Sequence, residues 1–242
     1  MRHIRIFQAG SYQPGHVITL SDSAAQHVGP VLRLALGDRI TLFCGDNREY
    51  QATLCDIQKK SIRVRIESMT VVNRESPRPI HLAQAIAKGD KMEWIIQKAV
   101  ELGVTSITPL LTERCVVRLD ASRLEKKQQQ WHAIAIAACE QSGRNRIPTI
   151  YPSCTLDYYL SHCDVPIKLI LSPHTADTWP LIQEPSTAIA LIVGPEGGLS
   201  AAEVEETSHY QACAVRLGPR ILRSETAAIT ALGIIQTRYG DF

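Results

Sequence analysis

Residues 191–198 read Leu-Ile-Val-Gly-Pro-Glu-Gly-Gly, and residues 217–227 read Leu-Gly-Pro-Arg-Ile-Leu-Arg-Ser-Glu-Thr-Ala. Each is an apolar strand running into a glycine-proline loop that opens a helix. Glycine lets the backbone approach a ligand closely, and a helix N-terminus offers free N–H donors. Two such loops together can build one cofactor pocket from backbone. Neither has the G-x-x-x-x-G-K-[ST] spacing of a phosphate loop, and no G-x-G-x-x-G follows a strand.

Outward from these loops, the chain alternates strand and helix from residue 80 onward. Residues 80–87 form a continuous apolar strand. Met92, Ile95, Ile96, Ala99 and Leu102 lie on one face of a helix over 91–102. The pattern continues with a strand over 106–111, a helix over 123–139, and buried strands over 168–171 and 188–193. Ser200 and Glu203 have capping-box spacing and start the next helix. A strand over 212–217 and a helix over 225–237 finish the chain. This order predicts an α/β domain with a mainly parallel sheet covered on both faces.

Residues 1–72 are different. Ile62, Val64 and Ile66 alternate with Arg63, Arg65 and Glu67, as in a half-buried strand with one charged face. Further strands are expected over 40–43 and 50–54, around the turn residues Gly45, Asp46 and Asn47, with a short helix over 23–34. Residues 73–79 (NRESPRP) read as a linker.

Composition narrows the class. The apolar fraction is 45% and the charged fraction 21%, ordinary for a soluble globular protein. No run approaches the ~18 apolar residues of a membrane span. The start of the chain shows no apolar core of a secretory signal. The seven cysteines are odd in number and form no C-x-x-C, so free thiols in a reducing cytoplasm are expected and a metal site is not. Net charge is +2, too small to announce nucleic acid. Residues 1–72 nevertheless carry nine Lys/Arg against six Asp/Glu, so the basic excess sits there.

The two loops resemble the signature loops of the SPOUT methyltransferases, most closely the RsmE family, which methylates N3 of a uridine in 16S ribosomal RNA. Residues 98–104 (KAVELGV), 109–117 (PLLTERCVV), 140–148 (EQSGRNRIP) and 1–7 (MRHIRIF) match as well. The similarity therefore covers essentially the whole chain, with its motifs in family order. It implies a SPOUT methyltransferase domain over 80–242 with a C-terminal trefoil knot, preceded by a small PUA-like β-barrel that binds RNA over 1–72. Knots are otherwise rare, and periodicity does not show one. It implies S-adenosyl-L-methionine as cofactor and 16S rRNA of the assembled small ribosomal subunit as partner. A homodimer sharing the active site is implied too, without metal or membrane.

By the same resemblance the cofactor is surrounded by Leu171 and Ser172, by Ile192, Val193, Gly194, Pro195, Glu196, Gly197 and Gly198, and by Leu217, Gly218, Ile221, Leu222, Ser224 and Ala227. His174 lies beside them and reads as a surface histidine. Arg223, Glu225, Glu113 and Arg114 are the catalytic candidates. Ser224 and Glu225 are equally suited to cap a helix. Arg2, Arg5, Arg63, Arg65, Lys88, Arg118, Arg144 and Arg146 are the RNA-binding candidates, with Lys91 a further cation for the backbone.

Methyl transfer from a sulfonium demands proximity and orientation. Uracil N3 must lose its proton. A nearby arginine favours the imide anion, and Glu113, Glu140, Glu196 or Glu225 is a candidate acceptor. The uridine must be unpaired or flipped for N3 to be reached. Competing readings are a non-catalytic ribosome-binding protein, a SPOUT enzyme acting on a ribose 2′-OH, and a nucleotide-dependent oxidoreductase. The last lacks the glycine fingerprint and the ribose-binding acid.

Overall fold

The computed structural model describes residues 4–59, 61–115, 120–175, 179–180 and 187–242. They form two compact units. One comprises the described part of Met1–Glu75 together with Cys139–Ile147; the other comprises that of Ser76–Ala138 and Pro148–Phe242.

The first unit contains β1 (Arg5–Phe7), β2 (Val17–Thr19), α1 (Asp22–Gln26), β3 (Arg39–Phe43), β4 (Arg48–Gln58) and β5 (Ser61–Val71). They make one sheet in the order β1-β3-β4-β5-β2, antiparallel except where β1 joins β3. Ile62, Val64 and Ile66 point into the core with Ile6, Leu42 and Tyr50, while Arg63, Arg65 and Glu67 are exposed. Two register shifts between β4 and β5 bend the pair, as bulges do. The helix expected over 23–34 is shorter. After α1 the chain widens into a π-helical turn, His27–Val31, that contains Pro30. Proline lacks the N–H that a regular helix would use there.

The inclusion of Cys139–Ile147 in this unit was not legible in the sequence. Its cause is a polar cluster around Glu49. One Glu49 oxygen accepts from Arg5 Nη1 at 2.5 Å, Arg74 Nη1 at 2.5 Å and Asn145 Nδ2 at 3.2 Å. Arg5 Nη2 also donates to Asn145 Oδ1 at 2.6 Å and to the Arg144 carbonyl at 3.1 Å. The Arg144 guanidinium pairs with Glu75. Arg5 and Arg144, expected to contact RNA, are thereby buried in ion pairs; their side chains are only 8% and 5% exposed. Glu140 Oε1 accepts from the Phe7 N–H at 2.9 Å, and its Oε2 lies 3.5 Å from His27 Nδ1, so this carboxylate too has partners within the first unit.

The second unit runs β6 (Ile80–Ala85), α2 (Lys91–Glu101), β7 (Ser106–Leu111), α3 (Ala121–Ser142), β8 (Thr149–Ile150), β9 (Cys154–Thr155), α4 (Leu156–Ser161), β10 (Ile167–Leu171), β11 (Ile189–Val193), α5 (Ala201–His209), β12 (Cys213–Val215) and α6 (Ser224–Tyr239). The last turn of α3 is part of the first unit. The sheet order is β12-β10-β11-β6-β7-β8, with β9 also on β7, and each pairing is parallel. The alternation of strand and helix is as expected. β8, β9 and α4 were not expected, because elements of two to six residues carry too little periodicity.

β6 and β11 are central and buried on both faces. α6 is anchored at its far end. Gln236 Nε2 donates to the Leu102 carbonyl at 2.6 Å, and a side chain at Gly103 (φ +81°) would collide with that amide. The buried Arg78 donates from Nε to the Tyr239 carbonyl at 3.2 Å and from Nη1 to the Thr187 carbonyl at 2.6 Å. α5 carries the expected capping box of Ser200 and Glu203.

Burial alone would raise the Glu49 pKa, but the bonds from Arg74, Arg5 and Asn145 hold it below the ordinary carboxylate value. A depressed carboxylate stabilises the fold above its unfolded pKa, and that stability is lost as pH falls through the folded value. Glu49→Ala is expected to cost about 3 kcal/mol in urea unfolding at neutral pH, because Arg5 stays buried without its partner. The gap from the parent protein should shrink as the pH is lowered into the acid range. An unchanged gap would show that the charge on Glu49 is not what holds the cluster.

Candidate functional site

The C-terminal ends of β6, β7 and β11 lie side by side, where parallel sheets place their ligands. The loop after β11 begins at Gly194. A Cβ there would lie 3.2 Å from Leu199 Cγ and 3.3 Å from its backbone nitrogen. Pro195 is buried, while Glu196, Gly197 and Gly198 are exposed. The Gly198 N–H closes a tight turn onto the Pro195 carbonyl at 2.9 Å, and its φ of +69° is one that glycine adopts without strain.

The second loop leaves β12 at the edge of the sheet and ends at α6. Gly218 has φ +89° with open space where a Cβ would stand. Among the described residues, the N–H groups of 217–223 find no acceptor. Leu217 and Leu222 are half-buried, and Ile221 is 81% exposed. The loop thus presents apolar side chains beside backbone donors, the two kinds of group that line a ligand site.

The two loops meet. Ser224 Oγ donates to the Gly194 carbonyl at 2.7 Å and accepts from Gln84 Nε2 at 3.1 Å. The N-cap of α6 is Arg223, which makes no capping bond with its exposed side chain, so Ser224 is the first residue of the helix and not its cap. Ala227 is half-buried one turn on. Lys91, at the start of α2, stands 3.4 Å from both Glu196 and Glu225. Burial would raise the Glu196 pKa. Its own N–H, that of Lys88 and the Lys91 ammonium together hold it below the usual value. Glu225 Oε2 has no partner among the described residues.

The 112–115 loop borders the same place. Arg114 Nη1 donates to the carbonyls of Gly197 at 3.1 Å and Leu199 at 3.3 Å. The Glu113 N–H binds Glu203, while the Glu113 side chain is exposed. Leu171 and Ser172 are half-buried, and the Ser172 N–H is taken by the Val215 carbonyl at 3.0 Å. Ile192 and Val193 are fully in the core. Ile192 packs among Ala83, Leu110, Leu156, Leu160 and Ile170, so only its backbone is near the loop. His174 is exposed.

Other expected residues lie elsewhere. Arg63 and Arg65 are exposed on β5, and Arg146 is exposed in the first unit. Lys88 is exposed in the second, with its N–H on Glu196. Arg2 and Arg118 fall outside the described residues. Sequence reasoning missed Gln84, which sits inside an apolar strand with no motif to mark it. It also missed Arg39, which cross-strand register places in one row with Thr53 and Arg65 on the outer face of the first sheet. Among the described residues no group of three or more His, Cys, Asp or Glu is arranged to hold a metal ion, and no helix is long and apolar enough to cross a membrane.

Residues 74–236 match the model of an RNA methyltransferase domain, and residues 20–67 match that of an RNA methyltransferase PUA domain. The chain is 37% identical, over 98% of its length and 97% of the relative's, to the ribosomal RNA small subunit methyltransferase E of Buchnera aphidicola subsp. Schizaphis graminum. It is similar to a methyltransferase of Legionella pneumophila solved with bound S-adenosylmethionine, with TM-score 0.97, 50% identity and 100% of both chains covered. A ribosomal RNA small subunit methyltransferase E from Neisseria gonorrhoeae bound to S-adenosylmethionine matches with TM-score 0.92 and 38% identity, again over 100% of both chains.

The crowding at Gly194 sets a test. Gly194→Leu should abolish S-adenosylmethionine binding in calorimetry while circular dichroism remains that of the folded protein. Retained affinity would exclude the 194–198 loop from the cofactor site.

Proposed function

The chain belongs to the ribosomal RNA small subunit methyltransferase E family, whose members are S-adenosylmethionine-dependent rRNA methyltransferases, and we propose that it methylates N3 of a specific uridine in 16S rRNA on the assembled small subunit. The observation that carries this reading is the junction of the 194–198 and 217–223 loops at Ser224, with unpaired backbone donors on one side and the exposed Ile221 on the other.

These residues fit S-adenosylmethionine. The N–H groups of 217–223 suit its polar edges, and Leu171, Leu217, Ile221 and Leu222 suit the adenine faces. When bound there, the cofactor supplies an electrophilic methyl group on sulfur. The chain's own work is to present the uracil and to manage its N3 proton. Arg223, whose exposed side chain makes no capping bond, is positioned to favour the imide anion electrostatically. Glu140 is held by the Phe7 N–H, and Glu196 by the Lys88 N–H as well as by Lys91. Glu225 also pairs with Lys91 but keeps Oε2 without a partner among the described residues, and the Glu113 side chain is exposed; we assign the proton acceptor to one of these two.

The first unit, read as a PUA-like barrel over 1–72, docks RNA through Arg39, Arg63 and Arg65. Phosphate contacts of this kind need no base recognition. Lys88 and Arg146 are further exposed cations for the backbone. The second unit does the chemistry. Its chain leaves β12 at the sheet edge and returns past β10 and β11 to Gln84, a path that a C-terminal trefoil knot accounts for. α6 supports a homodimer. Its apolar residues are not confined to one face, Ile229 and Ile234 are only half-covered, and the space beside Gly233 is open. A protein with these partners acts in the cytoplasm.

Four outcomes are expected. Nucleoside mapping of 16S rRNA from cells lacking the protein should show one N3-methyluridine missing, and a 2′-O-methyl loss instead would move the chemistry to ribose. Arg223→Ala should lower kcat by roughly two orders of magnitude, as the loss of one anion-stabilising group does. Arg63→Ala with Arg65→Ala should weaken small-subunit binding and flatten its salt dependence by about two counterions, with cofactor affinity as the control. Light scattering should give about twice the 26.8 kDa chain mass, and Gly233→Glu should halve it.

A further inference from the structure

Ser224 is nearly buried, 6% exposed, and its hydroxyl is committed on both sides, donating to the Gly194 carbonyl and accepting from Gln84. It is therefore poorly placed to serve as a direct ligand. Gln84 is fully buried at the end of β6, beside the last residues of β11. Both amide protons are used: one reaches the Ala85 carbonyl at 2.9 Å, the other Ser224 Oγ at 3.1 Å. Its Oε1 has no partner among the described residues. An orphaned buried acceptor is a standing cost that an apolar side chain of the same length would not carry. The orientation of the amide follows from its neighbours, since a flipped Gln84 would set its oxygen against the Ala85 carbonyl.

We infer that Gln84 and Ser224 are positioning residues: the buried chain Gln84–Ser224–Gly194 locks the 194–198 loop to the start of α6, so that the two cofactor loops form one preorganised site. The inference rests on the reading of these loops as the S-adenosylmethionine site. Gln84 takes its position from β6, a central strand of the sheet paired on both sides. Ser224 passes that position to the Gly194 carbonyl, and the 217–223 backbone is thereby held at a set distance from the 194–198 backbone. Without the lock, each loop must be ordered at the moment of binding, which weakens affinity for the whole ligand and not for one half of it.

The test is calorimetry of the full chain with S-adenosylmethionine and with S-adenosylhomocysteine. Ser224→Ala should weaken both roughly 5- to 10-fold, the worth of one buried hydrogen bond, and Ser224→Thr should restore most of the loss. Gln84→Met should weaken both ligands to a similar degree. Because the two residues act in one chain, the double variant should be little worse than either single one. In turnover, the KM for S-adenosylmethionine should rise by more than kcat falls. Parent-like affinity in Ser224→Ala overturns the inference, and so does a double variant whose loss is the product of the single losses. Ser224→Ala decides alone should Gln84→Met not fold. A parent protein that binds neither ligand would instead overturn the reading of the loops as a cofactor site.

Discussion

The hydrogen bond from Ser224 Oγ to the Gly194 carbonyl closes a path that the sheet alone leaves open. β12 is an edge strand, and the helix that follows it starts beside the two central strands. The chain between them crosses the strand ends without ladder partners. Its start is fixed by β12 on β10 and its end by Ser224. Beyond Ser224, α6 is held by Gln236 and Arg78, whose bonds go to backbone carbonyls. A loop tied at both ends can keep its own N–H groups free, and free N–H groups are what a backbone-built pocket needs.

Around that junction, charge is arranged in layers. Lys91 faces one carboxylate of the 194–198 loop and one of the first turn of α6, and Arg114 holds the carbonyls of Gly197 and Leu199. These cations are engaged in shaping the loops. Arg223 is left outward, at the helix start, with no hydrogen-bond or ion-pair partner for its side chain among the described residues. The division explains how one short region holds several arginines and lysines without each being a substrate contact.

The first unit shows the same division in another form. Arg5 and Arg144 are spent on Glu49, Asn145 and Glu75, and this network is what draws Cys139–Ile147 into the unit. Arg39, Arg63 and Arg65 stand on the outer face of the sheet. The net charge of residues 1–72 counts Arg5 together with Arg39, Arg63 and Arg65, but of these four only the last three present their charge where a polyanion meets it. Burial also pushes the Cys139 thiol up to about 12, so this cysteine behaves as a small apolar group.

The strand-helix alternation after residue 80, the period-two strand at 62–66 and the capping box at Ser200 were legible in the sequence, because each is written within one turn or one pleat. The two glycine-proline loops were legible for the same reason, and the family motifs gave them a ligand. What the sequence could not express was which distant groups meet. Gln84 looks like an interruption in an apolar strand until Ser224 is brought against it from 140 residues away. Arg144 looks like a cation beyond a helix end until Glu75 receives it. Ser224 looks like a helix cap until the backbone makes Arg223 the cap and turns the hydroxyl to Gly194. Local propensity depends on neighbours in the chain, so the sequence by itself determined the elements and the chemistry of the loops. Hydrogen-bond partners and burial depend on neighbours in space, so only the tertiary structure decided which polar side chains build the site and which are left to act in it.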